Sequence, residues 1–298
     1  PIFILLGAAI IHQGVHAGIE KWSARLMPLL LVMLVGLIVY ILQQEGAQEG
    51  LAVYLIPDFS QVTDPKLVIS AMGQAFFSLS IGVGGMMVYG SYMQKGKDLG
   101  KLVISIGALD TMIAFLAGLL IIPALFVAQH AGHQIFSNDQ LIGEGQLIFQ
   151  ILPALFNSMG TVGLIVAAGF FSLLSIAALT STISSTEVPV SYLVEEKSIA
   201  RGKATWLVST VVLCCSMLLV AYFDVLFALV IRVLTTIFQP LSCLFYFFVV
   251  GWIWNRGNKL TDKAALDSNI YLKLWGNYLR FVCPVLLTIV FINVAFIA

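Results

Sequence analysis

The sequence has few charged residues. Of its 298 residues only 10% are charged, with fifteen basic and fifteen acidic side chains, whereas 60% are hydrophobic. A soluble domain carries roughly 25% charged residues, so this composition cannot cover a globular core with polar surface. The composition disfavours a soluble enzyme and a disordered protein, and the zero net charge argues against nucleic-acid binding.

Recognisable catalytic and metal-binding signatures are also lacking. The four cysteines lie in apolar runs, and their spacing fits neither a disulfide framework nor a zinc site. The sequence contains no nucleophile elbow, phosphate loop or zinc motif. An intramembrane enzyme using Glu187 or the histidines would need a nucleophile and a base on facing helices, and no such pair stands out. We therefore expect a protein that is not an enzyme.

Long apolar runs are abundant instead. A membrane-spanning helix needs about 20 apolar residues, and eight runs meet or approach that length. They predict an all-α, multi-span membrane protein with no segment resembling a signal peptide. The predicted spans are 2–17, 24–43, 68–93, 102–127, 161–193, 204–223, 226–254 and 272–298.

The basic residues predict the orientation, because Lys and Arg accumulate in cytoplasmic loops. Alternate connections hold twelve of the fifteen basic residues, and the opposite connections hold only Lys66. We expect a cell-membrane protein with cytoplasmic basic loops and both ends of the chain external. The twelve residues are Lys21, Arg25, Lys95, Lys97, Lys101, Lys197, Arg201, Lys203, Arg256, Lys259, Lys263 and Lys273.

The third run contains serines and glycines near its middle, including Ser78, Ser80, Gly82, Gly84 and Gly85. Each glycine costs a helix about 1 kcal/mol relative to alanine, so this run is easily unwound. Unwound backbone within a membrane lines cavities and supplies carbonyl and amide groups to ions and substrates. Close helix packing through small residues is the alternative interpretation.

Polar residues in two other runs indicate an ion site. The fifth run carries seven hydroxyl side chains between Ser175 and Thr186, and Thr180, Ser181 and Ser184 lie at helical neighbour spacing. Hydroxyl oxygens are suitable ligands for a small hard cation. Asp110 lies within the apolar fourth run, where a carboxylate is costly and is a functional candidate by default.

Several motifs make the chain resemble the neurotransmitter:sodium symporter family, particularly its bacterial amino-acid transporters. These motifs occur in the same order along essentially the whole chain. They are GIEKW at 18–22, GQAFFSLS at 73–80, YGSY at 89–92, LDT at 109–111, PALF at 153–156 and ALTS at 178–181.

The resemblance implies an inverted-repeat sodium symporter fold with a discontinuous helix. The eight predicted spans would correspond to family helices four to eleven, so we expect the chain to be N-terminally incomplete, lacking helices one to three. Residues 1–43 would hold the last two helices of the first repeat. Residues 65–255 would hold the second repeat, and 272–298 an additional C-terminal helix. All of them would belong to one partial transporter domain.

Site residues follow from the resemblance by position. Two sodium sites are implied, each completed by the missing helices. Ser78 and Asp110 match the first, and Ala177 (through its carbonyl), Thr180 and Ser181 match the second. Residues 143–156 resemble the external capping loop. The substrate-pocket wall is matched by Phe77, Ser78, Ser80, Val83, Ser181 and Ser185, and the gates by Gln74, Phe77, Tyr92 and Glu195.

The implied function is sodium-coupled symport of a neutral amino acid by alternating access. Val83 and Ser185 stand where larger residues are frequent, which favours a bulky hydrophobic or aromatic substrate. Chloride-independent relatives tend to carry an acid where Ala114 stands here, and Asp110 would supply that charge instead, so we expect chloride independence. The alternatives are a receptor or regulatory protein of the same fold and a proton-coupled amino-acid permease. The only partners implied are the substrate and the lipid bilayer.

Overall fold

A computed structural model describes residues 2–61, 64–92, 99–132, 136–137, 140–141, 147–253, 274 and 276–292. Nearly all of these residues are helical. Within them, the strands are a two-residue antiparallel pair, Phe136–Ser137 with Gln140–Leu141. The predicted all-α architecture is therefore confirmed for the part of the chain that is described.

The α-helices, in chain order, are α1 (Ile2–His12), α2 (Lys21–Ile41), α3 (Ala47–Leu55), α4 (Pro65–Ser78), α5 (Gly85–Ser91), α6 (Leu99–His130), α7 (Leu152–Ser158), α8 (Gly160–Glu195), α9 (Arg201–Ala221), α10 (Phe223–Ile231), α11 (Gln239–Phe248) and α12 (Cys283–Ile292). A 3₁₀ turn covers Phe59–Gln61. Segments of π-helix cover Val15–Glu20, Leu147–Ile151, Arg232–Phe238, Val249–Ile253 and Tyr278–Val282.

Five helical stretches of the described chain are long and apolar enough to cross a membrane: Ala17–Ile41, Gly100–His130, Gly160–Glu195, Arg201–Ala221 and Val225–Ile253. They match five of the eight predicted spans. The first and last predicted spans contain shorter apolar helices, and the third is divided between α4 and α5.

Exposed apolar side chains on these helices fit a lipid environment. On α8, for example, Leu164 and Ile165 are both more than two-thirds exposed. Extended apolar surface of this kind is rare on soluble monomers and is expected where lipid replaces water. The predicted membrane orientation depends partly on residues outside the described ranges, namely Lys95, Lys97, Arg256, Lys259, Lys263 and Lys273.

The first compact unit comprises Pro1–Phe59 and Gly96–Ser209. Its core is formed by apolar faces of α2, α6, α7 and α8, which meet around Ile41, Leu125, Leu155 and Phe170. The apolar second half of the predicted capping loop is thus helical, and it packs tightly into this core. Residues 143–146 of that loop lie outside the described ranges.

Helix α3 packs closely against α6 in this unit. A Cβ atom on Gly50 would lie 2.7 Å from Cα of Pro123 and 2.9 Å from Cδ2 of Phe126. One turn further along α3, the Tyr54 hydroxyl donates a hydrogen bond of 3.2 Å to the carbonyl of Phe115. Glycine at position 50 therefore permits the backbones of the two helices to approach.

The second compact unit comprises Ser60–Lys95 and Thr210–Ala298. Asp64 caps the start of α4, because its carboxylate accepts a 2.9 Å hydrogen bond from the Lys66 amide, and Pro65 occupies the first helical position. Gly73 of α4 faces Val290 of α12, so α4 packs against the last described helix.

Candidate functional site

The third apolar run forms two helices separated by residues 79–84. The first helix ends in a Schellman motif, in which the Ile81 amide donates to the Phe76 carbonyl (3.2 Å) and the Ser80 amide to the Phe77 carbonyl (3.0 Å). Ser80 adopts a left-handed conformation with φ 50°, which is uncommon for a residue other than glycine. The interruption lies where the serines and glycines predicted it.

Two glycines shape the rest of the interruption. Gly82 and Gly84 have φ angles of 91° and 89°, a region that favours glycine. A Cβ atom on Gly82 would also lie 2.6 Å from the carbonyl oxygen of Gln239 and 2.7 Å from Sγ of Cys243. Position 82 thus requires glycine for its backbone conformation and for the closeness of α11.

Gln239 contacts the interruption a second time through its side chain. Its Nε2 atom donates to the carbonyls of Phe76 (3.3 Å) and Ile81 (3.2 Å), which flank the left-handed Ser80. The Gln239 side chain is buried. Gln239 was not among the residues predicted from the sequence, although a carboxamide within an apolar span is a signal that points to it.

Several residues predicted for the substrate wall and gates lie at or beside this interruption. Phe77 and Val83 are 54% and 49% exposed, Ser80 and Gln74 are also exposed, and Ser78 is partly buried. Because all five belong to α4 or to residues 79–84, the structure brings this part of the predicted wall together in one unit.

The residues predicted for the second sodium site lie on α8, in the first unit. The Thr180 hydroxyl is buried and donates a 2.8 Å hydrogen bond to the carbonyl of Ala177. Two oxygens 2.8 Å apart can share one hard cation, since metal–oxygen distances of roughly 2.3–2.6 Å are typical of such sites. Ser181 follows directly and is exposed.

Other hydroxyl groups of α8 form the same kind of hydrogen bond although they are not predicted ion ligands. The Thr182 hydroxyl donates to the carbonyl of Ala178 at 2.8 Å, and that of Ser191 to the carbonyl of Val188 at 3.0 Å. Hydroxyl groups in helices commonly bond to their own backbone. Thr182 therefore offers an internal comparison for Thr180. Ser185, predicted for the substrate wall, is exposed on the same helix.

Asp110 lies on α6 and is partly buried. It belongs to the first compact unit, whereas Ser78, its predicted partner in the first sodium site, belongs to the second. The substrate-wall residues Ser181 and Ser185 are likewise in the first unit, and Phe77 is in the second. A site shared by these residues stays a prediction.

Glu187 forms a buried ion pair, which the sequence analysis did not predict. Its carboxylate is fully buried and accepts two hydrogen bonds from Arg201, at 3.0 and 2.7 Å. Arg201 also donates from Nε to the carbonyl of Ile11 at 3.0 Å, near the end of α1. A single guanidinium thus connects α1, α8 and α9, and a structural role explains Glu187.

Two residues predicted for the inner gate lie at helix ends. Tyr92 follows α5 and contacts the Tyr89 ring edge-on, with ring centroids 6.4 Å apart. Glu195 is the last residue of α8 and is exposed. These residues belong to different compact units, so their joint role in a gate stays a prediction.

The described residues contain no group of three or more His, Cys, Asp or Glu side chains arranged to hold a metal ion. The hydroxyl and carbonyl oxygens of α8 instead fit a hard monovalent or divalent cation by their chemistry. Helix interruptions are a feature of membrane transporters with discontinuous helices, in which unwound backbone binds ions and substrate.

Comparison with known proteins decides the family. The model of the sodium:neurotransmitter symporter family matches residues 2–297. The chain belongs to this family. It is 34% identical to an uncharacterised sodium-dependent transporter of Haemophilus influenzae, over 98% of this chain and 64% of the relative. It is 29% identical to a second such transporter, from Bacillus subtilis, over 98% of this chain and 65% of the relative.

A solved structure supports the same assignment. The crystal structure of MhsT in complex with L-phenylalanine matches with a TM-score of 0.80 and 34% identity, over 99% of this chain and 67% of that chain. The predicted family and the sodium symporter fold are thereby confirmed. The chain spans about two-thirds of the length of these symporter-family members.

Proposed function

We propose that this family member takes part in sodium-coupled symport of a neutral amino acid, with a bulky hydrophobic or aromatic side chain, by alternating access. The observation that carries the proposal is the interruption of the third apolar run at residues 79–84. It places Phe77, Ser78, Ser80 and Val83 beside unwound backbone, where amide and carbonyl groups can bind a substrate's charged ends.

The second sodium ion would bind on α8. The Ala177 carbonyl and the Thr180 hydroxyl are already adjacent, and Ser181 supplies a further hydroxyl one residue later. Sodium would replace the hydrogen bond between the Thr180 hydroxyl and the Ala177 carbonyl, so that both oxygens face the cation.

Ser78 and Asp110 would be ligands of the first sodium ion, together with the substrate's carboxylate. The Asp110 carboxylate compensates the charge of the ion, which makes chloride unnecessary. One positive charge crossing a membrane potential of 100 mV releases about 2.3 kcal/mol, so coupling to sodium can drive accumulation.

The preference for a large side chain rests on two small residues. Val83 and Ser185 leave room where related transporters frequently have larger groups. MhsT, which shares 34% identity and the fold, was crystallised with L-phenylalanine. L-phenylalanine is therefore the first substrate to test.

Gates and orientation complete the proposal. Gln74 and Phe77 would close the site from outside, and Tyr92 and Glu195 from the cytoplasm. Basic connections would face the cytoplasm in a cell membrane, as the distribution of Lys and Arg predicts. The family is a family of transporters, which argues against an enzyme.

The test is uptake by the protein in its full natural length, reconstituted in proteoliposomes. Radiolabelled L-phenylalanine is offered with an inward sodium gradient, with a proton gradient, or with neither. Accumulation that requires the sodium gradient supports the symporter. Accumulation driven equally by protons indicates the permease alternative, and sodium-independent binding without accumulation indicates a receptor.

A further inference from the structure

We infer that Gln239 is a positioning residue for the amino-acid site, because its side-chain amide holds the interruption between α4 and α5 in its unwound shape. The inference rests on the proposed function of that interruption. Gln239 lies on α11, outside every segment that carries a predicted site residue. Its role would be to set the geometry of residues 77–83 from a neighbouring helix.

The two carbonyl acceptors match the two N–H groups of the Gln239 carboxamide. A glutamine nitrogen carries two N–H groups, and Nε2 of Gln239 lies 3.3 Å from the Phe76 carbonyl and 3.2 Å from the Ile81 carbonyl. Each N–H can therefore serve one carbonyl. The Phe76 carbonyl also accepts from the Ile81 amide, which uses the second lone pair of a carbonyl oxygen.

These two carbonyls need partners because of where they lie. In a membrane, carbonyls released from a helix must be satisfied by protein groups or by water in a cavity. Without the Gln239 side chain, the Phe76 carbonyl would keep the Ile81 amide as a donor, but the Ile81 carbonyl would lose the donor that Gln239 provides. The Gln239 amide thus stabilises the unwound conformation of residues 79–84.

The position of Gln239 is itself fixed by its helix. It directly follows the π-helical segment Arg232–Phe238 and precedes Pro240. Proline provides no N–H, and its ring displaces the carbonyl four residues earlier, which accounts for the wider helical turn at this point.

The main chain of α11 also contacts the interruption, at Gly82. The main-chain carbonyl of Gln239 and Sγ of Cys243, one turn later, face Gly82 so closely that no Cβ atom fits there. Both the side chain and the main chain of Gln239 therefore touch the interruption. Together they contact the chain at Phe76, Ile81 and Gly82.

This segment includes four residues of the predicted substrate wall. Phe77, Ser78 and Ser80 lie between Phe76 and Gly82, and Val83 follows directly. Loss of the Gln239 donors should loosen this segment and weaken substrate binding, while α3 and the core of the first compact unit stay unchanged. If Gln239 had a merely structural role, its loss would instead lower the stability of the whole protein.

Hydrogen–deuterium exchange of the full-length protein, read by mass spectrometry, tests this inference. Q239M keeps the length of the side chain but removes both donors, and Q239N keeps the amide but shortens its reach. We expect Q239M to accelerate amide exchange in residues 79–84 by roughly 10-fold or more, since the Ile81 carbonyl then loses the donor that ties the unwound segment to α11. Q239N should give a smaller acceleration there and serves if Q239M fails to fold.

The matched control is Q13M, because within the described part of the chain the Gln13 amide donates to the carbonyl of Ala9, in the helix that it follows, at 3.2 Å. It should leave exchange in residues 79–84 unchanged. The apparent affinity for L-phenylalanine should fall in Q239M and stay the same in Q13M. Unchanged exchange at 79–84 in both Gln239 variants, or equal acceleration there and in α3, would overturn the inference. Failure of the wild type to bind amino acids would count against the proposed function alone, because the exchange comparison needs no substrate.

Discussion

Asp110 is one of the few carboxylates in the apolar helices, where an acidic side chain is costly and is a functional candidate, and we propose that it binds a cation. The proposed sodium ion is that cation. The same carboxylate then explains how transport would proceed without chloride, since no acid stands one turn later at Ala114. Chloride independence would thus depend on the Asp110 carboxylate, and it is tested by replacing that side chain.

Uptake by the wild type should be unchanged when gluconate replaces chloride. D110N should lower uptake by about ten-fold or more, because a contact with a charged group contributes roughly 1.5–3 kcal/mol, and added chloride should partly restore it. E49Q, at an exposed acid of α3, is the control and should behave as the wild type. A strict chloride requirement in the wild type contradicts the expectation.

The Glu187–Arg201 pair illustrates a different use of charge. Glu187 is fully buried, and the side chain of Arg201 is 24% exposed. Removing one member of such a pair leaves the other charge without compensation, whereas removing both is often neutral. The pair should therefore be visible in stability measurements.

R201A is expected to destabilise the protein by about 3–5 kcal/mol. The double variant E187M/R201M should recover most of that loss, since no buried charge then remains. The free energy of unfolding in mixed micelles, measured by denaturant titration, provides the check. Equal losses in the single and double variants would mean that packing, and not the charge, accounts for the effect.

At the scale of whole elements, the sequence patterns predicted the lengths of the long helices and the position of the helix interruption. The run predicted over residues 161–193 is the helix Gly160–Glu195, and the glycines and serines of the third run coincide with its break. Local chemistry determines both features. The π-helical segments were not predicted, because they depend on how each helix packs and on Pro240.

The close approach of α3 to α6 yields a prediction about packing. G50A should reduce stability by about 1–3 kcal/mol, because its Cβ would overlap the backbone of Pro123. G36A is the matched control on α2, where a Cβ meets no atom within 4 Å. It should be neutral or stabilise by up to about 1 kcal/mol. The midpoints of thermal unfolding of the two variants test this prediction. Equal midpoints would contradict crowding between a Cβ atom at position 50 and α6.

At the scale of the whole molecule, composition and motif order predicted the membrane class, the all-α fold and the family. The contacts of Gln239 and of Arg201 were not predictable from the sequence. Gln239 bonds carbonyls more than 150 positions away in the chain, and Arg201 caps the carbonyl of Ile11 at a similar separation. Such pairings depend on tertiary packing. The repeat boundaries and the sites shared by the two compact units stay predictions.

Sodium coupling through α8 is the central claim, and one paired comparison tests it most directly. T180V and T182V each remove a hydroxyl that bonds its own helix at 2.8 Å, but only Thr180 is a proposed sodium ligand. Sodium-titrated uptake of L-phenylalanine in proteoliposomes is measured for both variants and the wild type. We predict that T180V raises the half-saturating sodium concentration by about ten-fold or more, the equivalent of one lost ligand contact, and that T182V leaves it unchanged. Equal sodium responses in T180V and T182V would contradict the account.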